Sequence, residues 1–429
     1  MSAVITRSEQ ATPGTRALST RAIRNGAVWL LFFSGFLVFI EPAPFELVFG
    51  LVAIIFLLTG LNISILLLPL IILLLLYNLG GGVSLMPVVD EPRAVWFVVI
   101  SIYMAVMAVV IACIFAQDTQ RRLDLMINGY TWAALLGSLL GIMGYFDVAG
   151  TLEVFTLYGR ASGSFKDPNV FSTFLVLPIV FLVQGFFLGT HRRPVLAGMV
   201  LLNIAFGLFL SFSRGAWAVT VGAVILCVGL NFITESSSKM RLRLVAISVV
   251  GLVLLVLLLV IALQFDAIRE TFEVRASLDQ DYDQGESGRF GSQLRAIPLL
   301  LERPNGFGPT FFRVFLGVDP HNTFVNAFAS YGWLGGISYL ALIAITMMLG
   351  WKLVFRKTPW QRASIVIWSS FFMLILQGMQ IDTDHWRHFY VHLGLTWGLT
   401  LASLRYQAWS QAAPAPRAGW SVSTDQTAG

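Results

Sequence analysis

The apolar positions of this chain fall into long runs, and its polar positions fall into short gaps between them. A helix needs about 17–25 apolar residues to cross a hydrocarbon layer of about 30 Å. Runs of this kind lie near 27–40, 45–61, 63–79, 94–116, 125–146, 170–189, 195–211, 215–233, 244–264, 322–350, 363–381 and 389–404. They predict an all-α polytopic membrane protein with about 12 transmembrane helices. A single polar interval is long: it follows the hydrocarbon run Val249–Leu263 and occupies residues 265–321. Within it, Phe265–Ala276 mixes charge with apolar residues at helical spacing. Gly288–Arg303 places Phe290, Leu294, Ile297 and Leu301 on one side of a helix, and Asn305-Gly306-Phe307-Gly308-Pro309 stops it. These segments are expected to lie along a membrane surface.

Charge placement orients the runs. Arg121-Arg122, Arg192-Arg193, Lys239-Arg241-Arg243 and Lys352-Arg356-Lys357-Arg362 all fall in even-numbered gaps, and cytoplasmic loops carry the excess of lysine and arginine. The expected organisation is a basic cytoplasmic tail at 1–25 and transmembrane helices 1–9 over 26–264. A long loop outside the cytoplasm follows at 265–321, then transmembrane helices 10–12 over 322–405 and a disordered cytoplasmic tail at 406–429. Composition agrees: 57% of residues are hydrophobic and 12% charged, whereas soluble domains carry about 25% charged residues. The net charge of +5 is spread over short loops, which serves orientation rather than nucleic-acid binding. Cys113 and Cys227 both lie inside apolar runs, with no metal-ligand spacing and no expected disulfide. No small-residue cleavage site follows the basic start, so an uncleaved tail is expected.

Few polar residues stand where they could carry chemistry. Arg214, in Ser211-Phe-Ser-Arg-Gly-Ala216, is held between two apolar runs, and the run before it has only about 17 residues, roughly 26 Å of helix. It is therefore drawn to the edge of the hydrocarbon slab, as a snorkelling arginine or as a ligand for a phosphate. Arg289 and Arg295 sit on the amphipathic stretch and could simply touch anionic lipid. Arg160 precedes Lys166-Asp167-Pro168-Asn169 in a Gly/Ser-rich loop. His321, in Asp319-Pro320-His321-Asn322, stands at the outer mouth of a span, as a structural histidine or as a base for a sugar hydroxyl. Asp279-Gln-Asp-Tyr-Asp283 and Asp382-Thr-Asp384 spell D-x-D, but both fall outside, where nucleotide sugars are absent, and His385 with His388 lacks a third ligand. No metal and no cofactor is expected.

The order of Ser213-Arg214-Gly215-Ala216, Ser287-Gly288-Arg289, Asn305-Gly-Phe-Gly308, Pro320-His321-Asn322-Thr-Phe and Tyr331-Gly-Trp-Leu-Gly335 resembles the bacterial O-antigen ligase/polymerase superfamily, from about Gly159 to Leu340. The resemblance implies a metal-independent inverting glycosyltransferase of C-type architecture in the bacterial inner membrane. Its donor would be an undecaprenyl-pyrophosphate glycan at the periplasmic face, and its acceptor lipid A–core or a growing glycan. It also implies that Arg214 and Arg289 hold the pyrophosphate, that Arg160 assists, and that His321 activates or orients the acceptor hydroxyl. Arg295, Asn322, Asp384 and His385 are supporting candidates. Ligase, O-antigen or exopolysaccharide polymerase, and protein glycosylation all remain open. A polysaccharide or lipid transporter is the competing class. Against it, the polar residues gather on one side, and no inverted repeat is visible.

Overall fold

A computed structural model describes residues 13–276, 285, 288–317 and 319–412. The described residues are mostly helical. In order, the elements are α1 (Pro13–Phe33), α2 (Pro44–Thr59), α3 (Leu68–Leu85), α4 (Pro92–Phe115), α5 (Thr119–Tyr145) and the short α6 (Leu152–Phe155). A small antiparallel hairpin follows, β1 (Thr156–Leu157) and β2 (Arg160–Ala161), with Leu157 opposite Arg160. Then come α7 (Pro168–Phe174), α8 (Val176–Leu188), α9 (Pro194–Leu210), α10 (Arg214–Thr234) and α11 (Ser238–Ala262). The long polar interval holds α12 (Asp266–Ala276), α13 (Arg289–Leu301) and α14 (Phe312–Leu316), and the chain closes with α15 (Thr323–Phe355), α16 (Gln361–Gln377) and α17 (Arg387–Ala412).

Among the described residues, 7 helices are long and apolar enough to cross a membrane, and Pro44–Thr59 and Pro194–Leu210 are shorter apolar helices. The apolar runs become helices because nothing interrupts them: proline stands at the first turn of α2, α3, α4, α7 and α9, where its missing N–H is harmless. The segment α7–α8 is central, with 83% of its most apolar stretch buried, whereas α11 is peripheral, with 6%. A helix that is apolar all round yet unburied suits contact with lipid. The core is held by close helix crossings at small residues. A Cβ at Gly394 or Gly398 on α17 would lie 2.7 or 2.8 Å from the Ala108 or Ala112 carbonyl of α4.

The helix limits depart from the expected ones at both termini. Residues 13–25 are helical and continue into α1, where Arg21 reaches Asp118 at 3.4 Å and Arg24 donates to the Gly60 carbonyl at 3.2 Å. The first helix stops at Phe33, with a 3-10 turn to Phe36, short of residue 40. At the other terminus residues 406–412 continue α17, where Tyr406 packs on Trp360 at 5.6 Å between ring centroids. Residues 1–12 and 413–429 lie outside the described residues, as does the first D-x-D, Asp279–Asp283.

The connections sort onto two ends of the bundle. At the loop end Lys166 pairs with Glu41 at 3.1 Å and Arg387 with Glu46. Gly308 N–H donates to Ser84 Oγ at 3.1 Å, and Phe272 of α12 stacks on Trp217 at 5.8 Å. At the opposite end Arg21 pairs with Asp118, and Arg362 lies 3.6 Å from Glu235.

Candidate active site at the loop end

Helices α9 and α10 are joined by Ser211–Ser213 alone. So tight a reversal needs Phe212 in the left-handed region (φ 46°), and Ser213 Oγ caps α10 by accepting from Ala216 N–H at 3.4 Å. Arg214 is therefore the first residue of α10 and is half-buried. Arg160, on β2, is brought to the same turn. Its Nε donates to the Ser211 carbonyl at 2.7 Å and its Nη2 to Asn169 Oδ1 at 2.9 Å, and that oxygen also accepts from Ser213 Oγ at 2.8 Å. The start of α10 abuts the end of α16: a Cβ at Gly215 would lie 3.4 Å from Gln377 Nε2 and 3.9 Å from Gln380 Oε1.

His321 is positioned from the other side of that α16–α17 connection. Asn322 caps α15, its Oδ1 accepting from the N–H groups of Phe324 (3.0 Å) and Val325 (3.2 Å). Thr323 N–H donates to the Gly378 carbonyl at 2.7 Å, and Asn322 N–H to Asp382 Oδ1 at 3.1 Å. His321 itself is held at φ 46°, a costly conformation for a non-glycine residue that persists only where neighbours enforce it. Asp382 also accepts from the His321 N–H; burial first, and the neighbouring Asp384 second, push its carboxyl up to about 8 against the pull of these donors. Asp384 is buried and turns elsewhere, accepting from Asn326 Nδ2 at 3.2 Å and contacting His385 Nδ1 at 2.9 Å. His385 stacks on Phe97 at 3.7 Å, and its Nε2 lies 3.1 Å from the Phe97 carbonyl. The two carboxylates of this D-x-D thus serve separate partners. Among the described residues no group of three or more His, Cys, Asp or Glu side chains clusters as a metal site requires.

A cavity of about 150 Å³ lies behind Pro320 and is lined by Phe97, Asp319, Asn326, Asp382 and Asp384 among others. A second, of about 200 Å³, runs beneath Lys166 between Phe32, Phe45, Tyr130 and Phe174. His385 and Trp386 line both.

The first part of α15 is set by a break at Gly332 (φ 64°), where helical hydrogen bonding fails. The Asn305–Pro309 turn fills that break: Trp333 N–H donates to the Pro304 carbonyl and Phe307 N–H to the Ala329 carbonyl, each at 2.7 Å. A Cβ at Gly306 would lie 2.6 Å from the Ala329 carbonyl, and one at Gly332 would lie 2.5 Å from the Pro304 carbonyl. Only glycine fits on either side of this contact. The glycine-rich turn therefore fixes the segment of α15 that opens at His321.

Helix α13 packs its small side, Ser292, Ala296 and Leu300, inward and leaves Phe290, Leu294, Ile297 and Leu301 exposed, as a helix lying on a bilayer surface requires. Arg289 opens this helix as Arg214 opens α10; its side chain lies outside the described residues. Arg295 is exposed, about 200° around the helix from Gln293 at 100° per residue. Gln293, which the sequence pattern did not single out, makes the contact to His321. Its Nε2 lies 3.2 Å from the carbonyls of Pro320 and His321, and its Oε1 accepts from Asn322 Nδ2 at 3.2 Å. Its spacing of one turn after Arg289 was the available signal.

Two clusters result. Arg160 and Arg214 share one turn, while His321, Asn322, Asp384 and His385 gather around the α16–α17 connection; the two clusters adjoin through Gln377 and Gln380. Residues 197–340 match the model of a family described as O-Antigen ligase. That stretch contains Arg214, Arg289, Arg295, His321 and Asn322, while Arg160, Asp384 and His385 lie outside it. It ends where the motif resemblance ends but begins later than Gly159. No curated protein matches the chain.

Proposed function

We propose, from the O-antigen ligase character of residues 197–340, that this all-α multi-pass membrane protein is a glycosyltransferase whose donor is an undecaprenyl-pyrophosphate glycan. The acceptor is a hydroxyl of lipid A–core, at the periplasmic face of the bacterial inner membrane. In this reading the twelve long helices from α1 to α17 span the membrane and the loop end faces the periplasm, because the arginine-rich short connections lie at the opposite end.

The observation that carries the reading is the placement of both candidate phosphate ligands at helix starts. Arg214 and Arg289 are each the first residue of a helix. There the backbone N–H groups and the positive end of the helix dipole already favour an anion. A guanidinium added at that point makes a site for a diphosphate without a metal, through charge-assisted and bidentate hydrogen bonds. The acceptor oxygen attacks the anomeric carbon, the bond from that carbon to the pyrophosphate oxygen breaks, and inversion follows from attack on the opposite face. His321 takes the hydroxyl proton, a role worth about 10²–10⁴ in rate. Arg214 and Arg289 stabilise the charge that develops on the leaving pyrophosphate.

The test is a gel of lipopolysaccharide from a deletion strain complemented with wild type or His321→Ala. Loss of all O-chain bands that the variant does not restore supports the ligase. Core carrying a single repeat unit means a polymerase of the same superfamily. An unchanged ladder overturns both lipopolysaccharide readings.

A further inference from the structure

We infer that Gln293 is a positioning residue that locks His321 to the helix carrying Arg289, so that the donor and acceptor groups of the proposed transfer share one frame. The inference rests on that reading of the site. The His321 peptide is gripped on both sides. Asp382 accepts its N–H from the α16–α17 connection. Gln293 takes its carbonyl, together with that of Pro320, from α13, at 3.2 Å each. The amide is used at both ends, since its oxygen accepts from Asn322, whose own side-chain oxygen caps α15. A left-handed non-glycine residue relaxes when such restraints are removed, because the strain at φ 46° is held only by the surroundings.

Arg289 stands one turn before Gln293 in α13, so by register the two positions lie about 40° apart around the helix axis at 100° per residue. α13 is pinned against the bundle by Ser292, Ala296 and Leu300. Gln293 is thus the bridge from a rigid, arginine-bearing helix to the candidate base. Reaction requires the attacking oxygen and the anomeric carbon within about 3–3.5 Å, and a misplacement of about 1 Å lowers the rate about 10²-fold. No other side-chain type of this length both donates to carbonyls and accepts from an amide. Methionine keeps the size without either bond, and glutamate keeps the acceptor but sets a negative charge against two carbonyl oxygens.

The test uses the full chain. Glycan transfer by Gln293→Met is measured in a complemented deletion strain at matched protein level. Binding of undecaprenyl pyrophosphate without a glycan is measured by thermal shift of the detergent-solubilised protein. The expected result is a loss of transfer of about 10- to 100-fold with probe binding within about twofold of wild type. Gln293→Glu should lose at least as much. Adding Gln293→Met to His321→Ala should not lower the residual transfer further. Transfer by Gln293→Met that stays within about twofold of wild type, or probe binding that falls in parallel with transfer, overturns the inference. If His321→Ala is inactive while Gln293→Met is fully active, only the positioning role fails; if His321→Ala is fully active, the proposed function and the positioning role fail together.

Discussion

The two ends of the bundle both carry arginines, and they use them in opposite ways. At the end away from the long loop, guanidiniums sit against helix C-termini. Arg24 donates to the Gly60 carbonyl beyond α2 at 3.2 Å, Arg405 to the Ala116 carbonyl at the end of α4 at 3.2 Å, and Arg241 to the Glu235 carbonyl capping α10 at 2.8 Å. Arg122 donates to the Ile114 carbonyl in the same way. Each sets its charge against a carbonyl at the negative end of a helix dipole. At the loop end Arg214 and Arg289 begin their helices, where a cation opposes the dipole by about 0.3–1 kcal/mol. Arg160, although at the loop end, follows the first pattern, donating to Ser211 at the end of α9. The difference separates arginines that complete the fold from the two that the proposed function assigns to the pyrophosphate. Arg160 braces the Arg214 turn through Ser211 and Asn169.

The largest effect should come from breaking the second class. Arg214→Ala and Arg289→Ala should each lower transfer by about 10²–10³-fold with membrane protein levels retained, read on the lipopolysaccharide gel beside an immunoblot. A parallel fall in protein level would erase the distinction between the two ends. Next is the frame on which His321 rests. Gly332→Ala forces a Cβ against the Pro304 carbonyl at φ 64° and should cost about 2–3 kcal/mol, seen as a lower melting temperature in fluorescence-detected size exclusion. For the first class, Arg405→Ala should cost only about 0.5–1 kcal/mol, since the residue is exposed and its charge is screened, and it should leave transfer per folded protein unchanged.

The smallest effect concerns pH. Asp382 is raised in the folded protein to about 8 from the ordinary 3.8, so the folded state holds a proton that the unfolded state releases. Its contribution is therefore greatest below pH 3.8 and is lost as pH rises toward about 8. Asp382→Asn should flatten that decline, changing the melting temperature near pH 8 by on the order of 2 °C relative to wild type.

The membrane helices were legible because an apolar run long enough to span hydrocarbon has few other stable states. Their order, the sorting of basic gaps to one end, and α12 and α13 inside the polar interval can be read from periodicity and charge, whereas the five-residue α14 is too short to show a period. The limits of α1 and α17 were less legible. Residues 13–25 and 406–412 are polar enough to read as tails, yet they are helical, and Arg21, Arg24 and Tyr406 find partners on other elements. Arg214 and His321 stood out because a charge or an imidazole at the edge of a hydrocarbon slab is costly unless used. Gln293 did not, because an uncharged amide on an amphipathic helix carries no such penalty.

What local pattern determined, then, is most of the helices, the sorting of basic connections to one end, and the short list of polar side chains at the loop end. Each of these follows from the free energy of single residues in water or hydrocarbon. The tertiary structure decided which of those side chains meet. The Asn305–Pro309 turn enters a break in α15, Asp382 and Gln293 grip one peptide from two sides, and Arg160 reaches across to Ser211. These contacts join residues tens of positions apart, through backbone groups that every residue type shares, so no run of letters marks them in advance.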